Sequence, residues 1–350
     1  MIRAMTEPIE NRFGLASGVW CKATQMFSFP TPEHPDNGAV SRRYPGNEMK
    51  GIFLSTKVVP RHVPLALRGG GTFVVWLKGD IMQTRIVLVG SGHLAHALFL
   101  GWQRDGAVHR TIHVLARSTR LFAELWTPEE QTHITFDPDI LQTADIVVFT
   151  VKPKDMSDAL SAMSPYLNRQ ALVLSPVAGY SLEQIRRRLP HQGLVRFMPN
   201  ICSAIGASVT LFTPDGLTAA QKTMVESLIA ELGPMLEVEE SLINPMTALL
   251  GSGPAYVYLF MEAVIQAGEQ LGVDRELTRL LVGRMIEGSA RLAEHEGATP
   301  LSQLIRQVVS PGGTTEAMLN VLKKAEWGNT LTGALLEAGE RAIELGQYSA

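Results

Sequence analysis

The sequence predicts an α/β chain in two parts, a parallel sheet with crossover helices followed by an all-α half, and three observations carry that prediction. Short apolar runs rich in β-branched residues recur between Thr84 and Asn200, and each ends on glycine or polar residues, as strands buried on both faces of a parallel sheet do. The first run, "TRIVLVG", opens through a tight turn into a helical stretch, "SGHLAHALFLGWQRDG". From about Asn244 the apolar period changes to three and four residues, the spacing of helices.

Composition narrows the function classes. The 350 residues, 45% hydrophobic and 19% charged, suffice for two ordinary domains with substantial cores. A net charge of −3 gives no basic excess for phosphates, so neither nucleic acid nor an anionic membrane surface is an expected partner. Cys21 and Cys202 lie too far apart in sequence for a disulfide framework or a four-ligand zinc site, so no metal is expected and a reducing cytoplasm fits best. Apolar pieces such as "TFVVWL" and "AYVYLFMEAVI" fall short of the ~18 residues of a bilayer span, and a soluble protein is expected.

Residues 1–81 have a different texture, with no sustained period and with Pro and Gly recurring through "FPTPEHPDNG", "RRYPGNE" and "RHVPLALRGGGT". Ten Lys and Arg against six Asp and Glu give this segment +4, which leaves −7 on the remainder of a chain of −3. It suits neither an acid-poor transit peptide nor an apolar signal sequence. It reads as a disordered extension or as the product of a start assigned upstream of Met82, with a small regulatory appendage as the other alternative.

Residues 82–243 then read as a Rossmann-like dinucleotide-binding domain. Gly90, Gly92 and Ala95 match G-x-G-x-x-A: the first glycine permits the turn, the second lets a pyrophosphate approach the backbone, and Ala95 allows close helix-to-strand packing. The second strand, "TIHVLARSTR", ends without the acid that would hold the ribose 2′-hydroxyl of NAD. Arg117, Ser118, Thr119 and Arg120 stand there instead, a group suited to a 2′-phosphate, which favours NADP(H), with NAD as the alternative. "ADIVVFTVKP" and "ALVLSPVAGY" end at the sheet edge where ligands of doubly wound folds sit, which places Lys152 and Gly179 along a nicotinamide cleft. "GLVRFMPN" supplies a further strand. Taken singly, Lys152 or Arg196 reads as a surface salt bridge.

Residues 244–350 read as an all-α dimerisation domain. "NPMTALLGSGPAYVYLFMEAVIQAGEQLGV" carries Tyr256, Phe260, Ala263, Val264, Ala267 and Leu271 at helical spacing, with apolar residues between them as well. A helix apolar nearly all round must be buried, either between helices or across a subunit interface. Two amphipathic helices follow in "RELTRLLVGRMIEGSARLAEHEG" and "TLTGALLEAGERAIELG". Between them "VVSPGGTTEAML" forms a hydroxyl-rich, flexible approach to a helix N-terminus, a place that attracts an anion.

In order along the chain, "GSGHLAHA", "ADIVVFTVKP", "VAGYSLEQI", "RFMPN", "GSGPAYVYLFMEA" and "SPGGTTEAMLNVL" resemble the pyrroline-5-carboxylate reductases, from Met82 to the C-terminus. The resemblance implies reduction of 1-pyrroline-5-carboxylate to L-proline with NADPH or NADH. It also implies a helical domain that interleaves in a homodimer, with larger rings of dimers in some members. The substrate carboxylate is then held by Ser310, Gly312, Gly313, Thr314 and Thr315, and Thr315 matches the catalytic position whose hydroxyl reaches the ring nitrogen. The interleaved dimer implies that this loop meets a cofactor bound by the other subunit. Cofactor contacts are expected from Gly90, Gly92, His93, Leu94, Ala95, Arg117 and Ser118, and from Val151, Lys152, Pro153, Ala178, Gly179 and Asn200 at the strand ends. The chain departs from the family pattern at Ile201 and Cys202, where members read T-P after Asn200, at Leu250, at Arg306 and at Gly328. Those positions bear on fine contacts around the substrate.

Two other readings compete with this one. A β-hydroxyacid dehydrogenase shares the layout and resembles its relatives in a catalytic Lys followed four residues later by Asn, but Asn244 to Leu271 contains no Lys. A non-catalytic, NADP-binding protein with its site loosened at Ile201, Leu250 and Arg306 is the reading from a different class.

Overall fold

The computed structural model describes residues 65–66, 72–73, 83–104, 110–118, 124–190 and 192–347. The chain divides into two units, Met1–Trp76 and Leu77–Ala350. In the first, β1 (Leu65–Ala66) pairs antiparallel with β2 (Thr72–Phe73). The reading of residues 1–81 as an extension otherwise lies outside the described residues.

The second unit is built on an eight-stranded sheet. Its strands are β3 (Thr84–Val89), β4 (Arg110–Leu115), β5 (Ile134–Thr135), β6 (Ile146–Phe149), β7 (Leu172–Ser175), β8 (Leu194–Met198), β9 (Thr210–Asp215) and β10 (Met235–Glu237), in the spatial order β5-β4-β3-β6-β7-β8-β9-β10. Pairing is parallel except between β8 and β9. In the register, Ile86 of β3 sits between Ile112 of β4 and Ile146 of β6. From β3 the chain winds first toward β4 and β5 and then back across to β6, so a switch point opens at the C-terminal ends of β3 and β6, where doubly wound sheets bind ligands.

Both faces are covered, which is why the strands carry continuous apolar runs and not an alternating pattern. On one face Ile86, Leu88, Val148 and Phe197 meet Phe99 and Trp102 of α1 (His93–Gln103) and Leu228 and Ile229 of α4 (Ala219–Ala230). On the other, Val87, Val147, Phe149 and Val173 meet Met156 and Leu160 of α2 (Met156–Met163) and Ile185 of α3 (Leu182–Arg186). The sequence reading ends the sheet at β8. It misses β9 because Pro214 interrupts that strand, and proline normally argues against a sheet interior. It misses β10 because three residues carry no period.

The remainder is helical: α5 (Ile243–Met246), a π-helical turn at Thr247–Gly251, α6 (Gly253–Gln270), α7 (Arg275–His295), α8 (Leu301–Val308), α9 (Thr314–Lys324) and α10 (Trp327–Gln347). This corrects the reading of the apolar sequence as short pieces. Glu240–Gln270 forms one helical stretch of 31 residues, long and apolar enough by length and composition to cross a bilayer. Within the chain only Gly253 and Ile265 of α6 are buried, and Leu259 is 72% exposed. Burial between the chain's own helices is therefore not how this apolar surface is satisfied. Leu280 and Leu281 of α7 and Leu336 of α10 are exposed as well, and a groove of about 380 Å³ runs between Leu259, Phe260, Ile286, Trp327 and Leu331. Exposed apolar surface this extensive marks an interaction face.

Candidate active site

The loop after β3 has the geometry its glycines imply. Gly90 sits at φ +118, and a Cβ there would come within 3.1 Å of the Thr150 backbone and 2.9 Å of its hydroxyl, so only glycine fits. Its N–H donates to the Leu115 carbonyl at 2.9 Å, and the Thr150 hydroxyl reaches the carbonyls of Val89 and Gly90 at 3.1 and 3.2 Å. Gly92 caps α1, and a Cβ built on it would meet nothing within 4 Å. The approach to the first N–H groups of the helix is thus open on the ligand side, where a pyrophosphate needs it. Ala95 is fully buried against the sheet, Leu94 is half-buried in the same core, and His93 is exposed.

At the end of β4, Arg117 and Ser118 are exposed beside this loop, whereas Thr119 and Arg120 lie outside the described residues. The end of β6 gives an exposed Lys152 flanked by half-buried Val151 and Pro153, with Lys152 at the N-terminus of a short 3₁₀ turn, Pro153–Asp155. Room at Gly92 together with basic and hydroxyl groups at the β4 end fits a phosphorylated dinucleotide.

Two of the expected contacts have structural duties of their own. Gly179, at φ +75, is buried with a Cβ position 2.5 Å from Gly346 N and 2.7 Å from the Ala342 carbonyl; α10 lies on it, and that close approach is what excludes a side chain. Ala178 beside it is half-buried. Asn200 accepts from the Cys202 N–H at 2.9 Å and donates to the Leu250 carbonyl at 3.0 Å, tying the end of β8 to the π-helical turn. Both atoms of its amide are thereby occupied in joining the sheet to the helices.

Arg196 corrects the surface-salt-bridge reading outright. It is 2% exposed, donates to Glu240 Oε1 at 3.1 Å, and reaches Asn244 Oδ1. Glu240 also accepts the Leu182 N–H at 2.7 Å. Burial pulls the guanidinium below its ordinary pKa, and the adjacent Glu240 carboxylate opposes that shift. The sequence signal for this latch was present in an arginine inside an otherwise apolar strand, which demands a buried partner.

The second anion loop is a type II turn: Pro311 follows Ser310, Gly312 has φ +72, and the Gly313 N–H returns to the Ser310 carbonyl at 3.0 Å. Gly313 is the N-cap of α9 and supplies no side chain to cap the first turn, leaving Thr314 and Thr315 at its head. The Gly312 N–H donates to Glu316 Oε2 at 2.7 Å, so a carboxylate oxygen of the chain already sits on one donor of this loop. Ser310, Gly312 and Thr314 are exposed, and Gly313 and Thr315 are half-buried. Among the described residues the hydrogen bonds of Ser310 to Glu316 stay within the loop and α9.

A Rossmann-like sheet with an open glycine turn, followed by helices that carry a second glycine turn and an apolar face exposed among the described residues, defines the class of dinucleotide-dependent oxidoreductases with a helical dimerisation domain. Comparison with known proteins gives the particular family. Residues 240–345 match the family described as pyrroline-5-carboxylate reductase dimerisation, and residues 85–179 match that described as NADP oxidoreductase, coenzyme F420-dependent. The pyrroline-5-carboxylate reductase of Pisum sativum is 30% identical over 258 residues, covering 73% of this chain and 94% of its own. Pyrroline-5-carboxylate reductase 1 of Bacillus subtilis is 30% identical over 270 residues, covering 76% and 90%. Among solved structures, the Plasmodium falciparum pyrroline carboxylate reductase with NADP bound superposes with a TM-score of 0.67 at 27% identity, covering 76% of this chain and 99% of that one. The Coxiella burnetii pyrroline-5-carboxylate reductase superposes with a TM-score of 0.61 at 32% identity, covering 75% and 98%. The chain belongs to the pyrroline-5-carboxylate reductase family.

Proposed function

We propose that the protein reduces 1-pyrroline-5-carboxylate to L-proline as an NADPH-dependent homodimer, with NADH as the alternative donor. The observation that carries the reading is the pairing, in one family-matched chain, of a loop open to a pyrophosphate with a second loop whose Gly312 N–H already donates to a carboxylate oxygen. When bound, the nicotinamide supplies the hydride, which adds to the imine carbon while the ring nitrogen holds a proton.

The protein's share is placement. Gly90, Gly92 and the head of α1 hold the pyrophosphate, with His93, Leu94 and Ala95 behind them. Arg117 and Ser118 take the 2′-phosphate. Val151, Lys152 and Pro153 flank the nicotinamide, and Ala178, Gly179 and Asn200 shape the far wall through the contacts already described. Ser310 and Thr314 offer their hydroxyls to the substrate carboxylate on the turn that Gly312 and Gly313 shape, each charge-assisted bond being worth about 1.5 to 3 kcal/mol. Thr315 orients the ring by its hydroxyl at the imine nitrogen, and alignment of this kind is a main source of rate in bimolecular transfers. Helices α6 to α10 carry this loop to the glycine turn of a partner, which is supported by the loop's internal bonding and by the exposed apolar faces around it. A reducing cytoplasm suits this enzyme, and rings of dimers would extend the same helical contacts.

The direct test is NADPH oxidation on adding 1-pyrroline-5-carboxylate to the purified full chain, alongside NADPH binding measured without substrate. Oxidation that requires the imine is the expected result. Binding without oxidation would leave an NADP-binding protein and remove the reductase reading.

A further inference from the structure

We infer that Trp126 is a positioning residue for the cofactor: it grips the glycine turn from behind and aims the Gly92 N–H at the pyrophosphate. The inference rests on the reading of that turn as a dinucleotide site.

The indole Nε1–H of Trp126 donates to the Ser91 carbonyl at 3.0 Å. Ser91 and Gly92 share one peptide unit, which is planar and trans, so its C=O and N–H point in opposite directions. A donor that fixes the carbonyl from the protein side therefore turns the Gly92 N–H outward. A Cβ built on Gly92 would meet nothing within 4 Å, so the turn is open at this residue.

The grip is braced. Trp126 is 2% exposed and sits with its ring 4.6 Å from His96 and 5.0 Å, edge-on, from Phe99, both on α1. His96 Nε2 lies 3.1 Å from Glu130 Oε2, and Glu130 also accepts the Thr127 N–H at 2.8 Å. The acid is held ionised, so His96 Nε2 carries the proton and donates. Gln131 Nε2 closes the ring of contacts on the Trp126 carbonyl at 2.8 Å. The segment from Trp126 to Gln131 is thereby locked to the first turns of α1, and the indole cannot swing away from Ser91 without breaking a charge-assisted bond.

Trp126→Phe keeps an aromatic ring against His96 and Phe99 and deletes the N–H together with part of the indole's buried volume, which is why the thermal midpoint is read beside the affinity. The expected result is NADPH binding about fivefold weaker, read both as Kd and as KM for NADPH, with kcat at saturating NADPH and KM for the imine close to wild type. His96→Leu keeps the indole N–H and removes the brace, and should move NADPH affinity the same way by a smaller factor. Thermal midpoints are recorded for both. Unchanged NADPH affinity in Trp126→Phe overturns the inference. So does the opposite split, a fall in kcat that follows a lowered thermal midpoint with KM for NADPH unmoved, since that is what a purely structural indole produces. A wild-type protein that binds no NADPH removes the dinucleotide reading itself, a different failure that the same titration identifies.

Discussion

The two anion-binding loops of this protein are built on opposite plans. The loop at Gly90 is held from three directions within its own chain: by the Leu115 carbonyl, by the Thr150 hydroxyl and by the Trp126 indole. The loop at Ser310 bonds only to itself and to Glu316 among the described residues, and the helices that carry it display leucines to solvent. Under the proposed function the first is finished when one chain folds, and the second is an arm that meets its counterpart on another molecule. The proposal thereby separates cofactor binding, a property of the protomer, from turnover, a property of the dimer.

The strongest way to break that contrast is to abolish the dimer while sparing the protomer. Leu259 is exposed in the chain, so Leu259→Glu costs the isolated fold little, yet an unpaired charge in the buried centre of an apolar interface is strongly unfavourable. Sedimentation should show monomers. Turnover should fall on the order of a hundredfold or more, because the substrate loop loses its place against the nicotinamide. NADPH affinity should stay at its wild-type value. An active monomer, or a monomer that no longer binds NADPH, contradicts the division of labour between the loops.

The same contrast explains what could be read in the sequence. The sheet and the glycine turn are legible because their determinants are local: a β-branched run, a residue that must be glycine, a helix that starts three residues later. β3, β6, β7 and β8 fall inside the segments named from their apolar runs, and β4 does so but for its first residue, Arg110. Trp126 was not legible, since its partner is 35 residues upstream and an isolated tryptophan in "ELWTPEE" reads as ordinary core. Arg196 reads as a surface salt bridge for a related reason: the apolar strand around it signals burial, but its partners Glu240 and Asn244 lie 44 and 48 residues downstream, and nothing local names them. At Gly179 and Asn200 the pattern marked positions that matter, while the structure supplies packing and capping duties that no motif states. The apolar helix reads as needing cover, and only the fold shows that the other described helices leave most of it exposed.

A smaller effect tests the substrate arm alone. Thr315→Ala removes one hydroxyl from the head of α9 and leaves the turn at Gly312 and its bond to Glu316 in place. kcat should fall roughly tenfold, the size expected for one hydrogen bond to a developing charge, with NADPH affinity unchanged and the dimer intact. Unchanged turnover would take Thr315 out of the mechanism without touching the cofactor loop. Read beside Leu259→Glu, it shows how much of the arm's contribution is its presence and how much is its chemistry.

The smallest effect lies in the brace behind the cofactor loop and is read by pH. Burial alone would push the Glu130 carboxyl upward, but the Thr127 N–H and the bond and charge of His96 outweigh it and hold the group below its ordinary value of 4.5. A carboxyl lowered in the folded state binds fewer protons there than in the unfolded chain. Its contribution is therefore fully present above the unfolded value and drains away as the pH falls through the folded one. Thermal midpoints of wild type should decline more steeply than those of Glu130→Gln as the pH is lowered from about 5 toward 3, and the two curves should run parallel above that window. NADPH affinity should weaken with the brace in the wild type over the same range. Curves that stay parallel throughout would mean that Glu130 does not hold the loop, and the rigidity of the cofactor site would then have to come from Thr150 and Leu115 on its other side.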